Sequence, residues 1–347
     1  MTTTAPRQES RATTPPLPPA RGPLSAAVIA SLRDSTAPLP DAGAVTAADP
    51  YGDDAQLALY LLYELHYQGF AGVAEDREWD VDLLRLRGRL EERFLARLRA
   101  DAPRRPSAAD AIDALLIEPV ADEDAGVSHW LQSAGGLREL REYAALRSLY
   151  HLKEADPHAW VLPRLYGRAK AAMVAVEFDE FGAGHAEDVH ARLFADLMAD
   201  LGLDTAYGRW LDAAPAEALA TVNVMSLFGL HRSLRGALVG HFAAVEITSS
   251  PGSRRLARAM RRTGAGPAAE RFYDEHVEAD AVHEQVVRHE VIAPLLAAEP
   301  RLEADVVFGV EATGLLEDRL GAALLDAWRA GRSALRTPLP ESGGRAR

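Results

Sequence analysis

From about residue 51 onward, apolar residues recur at helical spacing, and period-two alternation long enough for a strand is scarce. The stretch "AQLALYLLYELHYQGF" (55–70) repeats apolar residues at three- and four-residue intervals and closes at Gly69. "DVDLLRLRGRLEERFLARLRA" (80–100) is a charged amphipathic helix ended by Pro103 and Pro106. A third helix is predicted over 137–154, stopping before Pro157, and a fourth runs from about Ala159 through "LYGRAKAAMVAVEFDEF" to Gly182 and Gly184. A fifth starts near Ala186. The segment 219–250 is apolar on nearly all sides, which in a soluble chain marks a central helix or helix pair and the core of the domain. Helices over 266–296 and 303–331 complete the pattern, while 115–136 reads as an irregular loop or lid. The fold class is all-α. Residues 1–50 are expected to be disordered or irregular, 51–332 to form one helical domain, and 333–347 to be a flexible tail.

Composition narrows the chemistry. With 347 residues, 48% of them hydrophobic, the chain can bury a sizeable core. A formal charge of -13, with no basic stripe interleaved with aromatics, argues against nucleic acid as a partner. There is no cysteine, so disulfides, iron–sulfur clusters, thiolate zinc sites and catalytic thiols are excluded. No apolar run approaches the length of about 20 residues that spans a bilayer, and the Pro-rich start has no apolar signal core. The expected setting is cytoplasmic, without membrane attachment.

Any metal must therefore sit among His, Asp and Glu. "HVEADAVHE" places His276, Asp280 and His283 at intervals of four and three, on one helical face. "EFGAGHAEDVH" places Glu180, Glu187 and His190 seven and three apart, and these share a stripe if the helix continues past the glycines. Glu187-x-x-His190 and Asp280-x-x-His283 have the spacing of carboxylate-bridged di-iron bundles, with Glu154 as a further carboxylate. Glu154, Glu180, Glu187 and Asp280 carry four negative charges, enough to neutralise two divalent ions. Mixed imidazole and carboxylate donors suit iron or manganese better than magnesium or four-coordinate zinc.

The segments "HLKEADPHAWVLPRLYGRAKAAMVAVEFDEFGAGHAEDVHARLFADLM" and "FYDEHVEADAVHE" resemble the haem-oxygenase-like di-iron oxidases, also called iron-containing redox enzymes, which are common in actinobacterial biosynthetic clusters. The likeness covers roughly 137–330 and follows the ligand order of the three-histidine, N-oxygenase-type members. It implies a seven-helix bundle without haem, often a homodimer, holding two ferrous ions per chain. By that resemblance Glu180 bridges the irons, Glu154, His190 and His283 serve one, and Glu187, His276 and Asp280 serve the other. It further implies dioxygen as cosubstrate, a peroxo-diferric intermediate and a small-molecule substrate; the chain has no flavin or nicotinamide fingerprint, so electrons beyond the ferrous pair are expected from a separate reductant or from the substrate. N-oxygenation of an amine or guanidine ranks first, with oxidative C–C cleavage or desaturation of an amino acid or fatty acid as the rival. Iron binding without organic chemistry, and a helical interaction domain, are the readings from other classes.

Other polar residues are assigned more plainly. His151 is read as a surface residue or a neighbour of the metal shell, and His289 as exposed. His241 and Glu246 lie in the apolar segment, where a pocket wall and a satisfied core pair stand as equal readings. His66 and Glu64 carry the resemblance without a derivable role. Glu177 and Asp179 flank the bridging candidate, and Asp188 neighbours Glu187. Arg147, Arg164 and Lys170 are candidate substrate anchors. Gly236 and Gly240 suggest a close backbone approach, of the kind also used over a flat cofactor.

Overall fold

The computed structural model describes residues 14–117 and 126–339, and among these every regular element is helical. The chain runs through α1 (Pro23–Arg33), α2 (Ala42–Ala47), α3 (Asp53–Glu64), α4 (Val81–Asp101) and α5 (Ala108–Leu115). Next come α6 (Val127–Ser133), α7 (Leu137–His151), α8 (Asp156–Ala159), α9 (Gly167–Glu180) and α10 (His190–Asp200). The last five are α11 (Ala216–Leu230), α12 (Arg235–Thr263), α13 (Pro267–Val286), α14 (Ala293–Ala298) and α15 (Glu303–Arg329).

Local chemistry explains many of the boundaries. Asp80 accepts from the backbone N–H groups of Asp82 and Leu83 and opens α4, and Ser107 does the same for α5 through Asp110. α12 ends on Gly264 in the left-handed region (φ 68°), whose N–H reaches back to Arg261. The segment 266–296 is not one uniform helix. A π-helical turn over Val287–Ile292 separates α13 from α14. Pro294 lacks the N–H that would bond the carbonyl of Glu290, so an ordinary α-helical register is interrupted there.

Both ends are more structured than their composition suggested. In α1, Leu24, Val28, Ile29 and Leu32 are buried, and the helix packs against α3. Asp54 accepts from the N–H groups of Leu24 (2.8 Å) and Ser25 (2.7 Å), which fixes the start of α1 on the body of the protein. Residues 1–13 lie outside the described residues. At the other end, Glu142 accepts from Trp328 Nε1 and from the N–H of Ala334, and Leu335 is buried. The expected flexible tail thus docks as far as 339. Of the expected 115–136 loop, α6 is a helix and 118–125 lie outside the described residues.

The core forms where the all-round apolar segment predicted it. That segment is a helix pair, α11 and α12, separated by a 3₁₀ turn at Arg232–Leu234. α12 packs against both α13 and α15. At Gly240 a β-carbon would lie 2.0 Å from the carbonyl oxygen of Val306, and at Gly309 one would lie 2.0 Å from that of Ala237. The close approach expected at Gly240 is therefore helix against helix, α12 on α15, and Gly236 likewise faces Asp305 and Leu302. Among the described residues no helix is long and apolar enough to cross a membrane.

Candidate metal centre

Five chain segments bring carboxylates and imidazoles to one interior volume. Glu154 lies between α7 and α8, Glu180 is the last residue of α9, and His190 is the first of α10. Glu246 lies within α12, and His276, Asp280 and His283 lie within α13. All seven are buried. They fall into two groups, Glu154, Glu180, His190 and His276 in one and Glu180, Glu246, Asp280 and His283 in the other. Within each group, one donor atom per residue lies within 4.8 Å of the others. Glu180 belongs to both.

Of the seven residues expected from the sequence, six are brought together. Glu187 is exposed and stands outside both groups. The helix does not continue past the glycines: α9 ends at Glu180, Gly182 and Gly184 take φ 73° and 88°, and Ala183 takes φ 50°. Glu187 consequently sits in the turn before α10 and shares no stripe with Glu180. A β-carbon at Gly182 would meet the backbone of Val189 at 2.6 Å, so glycine is required for this fold-back. The two α13 histidines also take the opposite partners to those the resemblance implies. His276 joins Glu154 and His190, and His283 joins Asp280. Seven residues of helix separate His276 from His283 by about 10 Å along the axis, whereas Asp280 and His283 are neighbours one turn apart.

Glu246 fills the second group, and the sequence signal for it was an acid in an otherwise apolar helix. Its neighbour Ile247 has a carbonyl deprived of its helical partner by Pro251, a local break in α12 beside the site. The two non-glycine residues with positive φ among the described residues, Ala155 (φ 71°) and Ala183, flank Glu154 and Glu180. Such backbone costs on the order of 1–3 kcal/mol and persists where the surroundings impose it.

The donor atoms are oriented by the residues around them. His276 Nδ1 lies 2.7 Å from the carbonyl of Phe272 and donates to it, which turns Nε2 into the first group, 3.8 Å from Glu154 Oε2. His151 Nδ1 holds Glu154 Oε1 at 2.9 Å. His283 Nδ1 lies 3.1 Å from Glu246 Oε2 and 3.5 Å from both Glu180 Oε1 and Asp280 Oδ1, while Asp179 approaches its Nε2 at 3.3 Å. Three buried atoms, Glu154 Oε2, His276 Nε2 and Asp280 Oδ2, have no hydrogen-bond partner, and His190 Nδ1 faces Glu180 Oε2 at 2.6 Å. Orphaned buried donors and acceptors of this kind are what a cation would satisfy.

Electrostatics point the same way. Burial alone would lower His276 and His283, but the surrounding carboxylates outweigh it and push them up to about 10 and about 11. Burial, and then the charges of Asp280 and Glu180, push Glu246 up to about 8. Burial would raise Glu154, but His151 and His276 hold it well below the ordinary carboxylate range. Glu177, one turn before Glu180, is buried with both oxygens unpartnered, and burial followed by Glu180, Glu246 and Asp156 pushes it up to about 9.

The remaining candidates have other places. Arg147 binds Glu317 at 2.8 Å, and Arg164 donates to the carbonyls of Gly229 and Leu230 at the end of α11. Lys170 is half-buried and His289 is exposed. Glu64 is buried with Lys153 at 3.6 Å and accepts from Tyr207 at 2.8 Å, while His66 faces Glu78. Asp188, on the turn with Glu187, pairs with Arg271.

A family model described as iron-containing redox enzyme matches residues 141–318. A nitrosourea synthase from Streptomyces achromogenes subsp. streptozoticus is 25% identical over 161 residues, 46% of this chain and 34% of that protein. The chain thus spans about a third of the length of this relative. The family match covers a little more than half of the chain and includes every residue of both groups, on an all-helical, haem-oxygenase-like bundle: the chain belongs to the iron-containing redox enzyme family.

Proposed function

We propose that this protein is an oxidoreductase that holds two irons at the paired groups and uses dioxygen to oxidise a small organic substrate, with N-oxygenation of an amine or guanidine as the reaction. The observation that carries the reading is the shared Glu180, which gives two four-donor groups one common carboxylate. Iron bound there would supply electrons and open coordination positions for dioxygen. Glu180 would bridge, Glu154, His190 and His276 would hold one iron, and Glu246, Asp280 and His283 the other. His151, Asp179 and the Phe272 carbonyl fix the orientation of these donors, and the burial of the seven donor residues keeps bulk water from the site. Similarity to a nitrosourea synthase supports nitrogen as the atom oxidised. A separate reductant and a homodimeric, cytoplasmic enzyme complete the proposal.

Glu187 can act as a further ligand only if the 181–189 turn rearranges about Gly182 and Gly184. Hydrogen exchange across that turn should then slow on metal loading; unchanged exchange assigns Glu187 to the surface.

The test is anaerobic loading of the metal-free protein with ferrous iron, a count of bound metal, and rapid mixing with oxygenated buffer. Two irons per chain and a transient visible absorption whose decay is hastened by amines or guanidines support the proposal. Faster decay with fatty acids would redirect it to carbon oxidation, and oxidation of iron without any substrate effect would leave an iron-binding protein. Metal binding unaffected by His276→Ala and His283→Ala would overturn the site.

A further inference from the structure

Beside the two metal-binding groups the interior holds a second pair of histidines. His158 on α8 and His241 on α12 are 1% and 4% exposed, with rings 5.2 Å apart and tilted by 51°. The Thr313 hydroxyl, with one proton to give, lies 2.7 Å from the carbonyl of Gly309 and 2.8 Å from His241 Nδ1. Both contacts are satisfied together when the hydroxyl donates to the carbonyl and accepts from Nδ1, which is the tautomer with its ring proton on Nδ1. Burial pushes His241 down to about 4, so the ring is neutral near pH 7 and in that tautomer Nε2 presents a bare lone pair.

That lone pair has no partner. Neither His241 Nε2 nor His158 Nε2 meets a donor or acceptor within the protein, and both are buried. Leaving such a group unsatisfied costs about 1–3 kcal/mol. Around the pair stand aromatic rings: Phe242 meets His158 edge-on at 5.0 Å, Tyr150 lies 6.1 Å from His158, and Phe228 lies 6.4 Å from His241. Tyr150 links the pair to the first group: its ring lies 6.1 Å from that of His158 and 4.8 Å from that of His151, which holds Glu154. Burial, and then His241, lower His158, while the charges of Glu154 and Glu317 act on His158 and His241 in the opposite direction.

We infer that His158 and His241 form the recognition site for the nitrogen-bearing head of an organic amine or guanidine, with His241 Nε2 accepting a ligand N–H. The inference deepens the proposed function and rests on it for the meaning of the ligand as substrate. Because His241 Nε2 can accept but not donate, a carboxylate head would confront a lone pair in surroundings already negative. The arrangement thus selects amines over fatty acids by hydrogen-bond polarity.

The test uses the full-length protein, histidine-labelled with ¹⁵N and loaded with diamagnetic Zn(II), titrated with hexylamine, L-arginine, 1-hexanol and hexanoate. Long-range proton–nitrogen correlations report the tautomer of His241 and any shift at Nε2. Expected are an Nδ1-protonated ring in the free protein, a shift at Nε2 with hexylamine or arginine, and binding at least about tenfold tighter than for hexanol or hexanoate. His241→Phe should abolish that preference without changing the metal count, and Thr313→Val, which frees Nδ1, should weaken it. Equal binding of hexanoate or hexanol, or no shift at Nε2 with either nitrogen probe, overturns the inference. A metal count of two with no such shift sinks this inference alone, whereas failure to bind two metals sinks the proposed function beneath it.

Discussion

Metal loading of this protein should expel protons. In the metal-free chain at pH 7, the surrounding carboxylates outweigh burial and hold His276 and His283, pushed up to about 10 and about 11, in their protonated forms. Glu246, itself raised by burial, faces His283 at 3.1 Å, so these two compete for one proton and are counted once. The donors must present lone pairs to act as ligands, so filling both positions releases about two protons. Each proton changes the free energy of loading by about 1.4 kcal/mol per pH unit, or about 3 kcal/mol for the pair of metals. The sign is fixed by the direction of the shifts: raised groups hold protons that compete with metal, so affinity falls as pH falls. Between pH 7 and pH 6 the overall constant for two ferrous ions should drop about a hundredfold, which is about tenfold per metal. Anaerobic calorimetry in two buffers of different ionisation enthalpy counts the protons, and competition with a chelator over the same range gives the slope. A pH-independent affinity, or release of fewer than one proton per pair of metals, would show that His276, His283 and Glu246 are not the donors.

Other consequences follow from the packing. Gly240→Ala places a methyl 2.0 Å from the Val306 carbonyl, and because backbone cannot yield as a side chain does, a loss of about 3 kcal/mol or more is expected in chemical denaturation. Gly252→Ala on the same helix, where nothing lies within 4 Å, should be neutral or stabilising. Lys153→Met leaves Glu64 buried without its cation and should cost about 3–5 kcal/mol, most of it recovered in the double variant Lys153→Met with Glu64→Leu. If the double variant is no more stable than the single one, the pair is not what determines stability there. His151→Phe removes the 2.9 Å contact that orients Glu154 and should weaken metal binding about 10–100-fold while the fold, followed by circular dichroism, is kept.

The sequence by itself determined the helical class, the central apolar pair and six of the seven residues of the two buried groups. Helical periodicity is a local signal, and so is the i, i+4, i+7 spacing that puts His276, Asp280 and His283 on one face of α13 whatever the rest of the chain does. Glu180 and His190 were read from their own spacing and Glu154 as a further carboxylate, and the family resemblance joined them to α13, which no local spacing does. The sequence did not decide the docking of 23–33 and 334–339, because capping by Asp54 and acceptance by Glu142 come from residues far along the chain. Only tertiary structure placed Glu246 beside His283, turned Glu187 outward through three residues of left-handed backbone, and divided the α13 histidines between two groups. It also set His241 against a threonine 72 residues away. The physical reason is common to all of these: periodicity fixes which face of a helix a side chain occupies, whereas the crossing of helices and the path of a turn decide what that face meets.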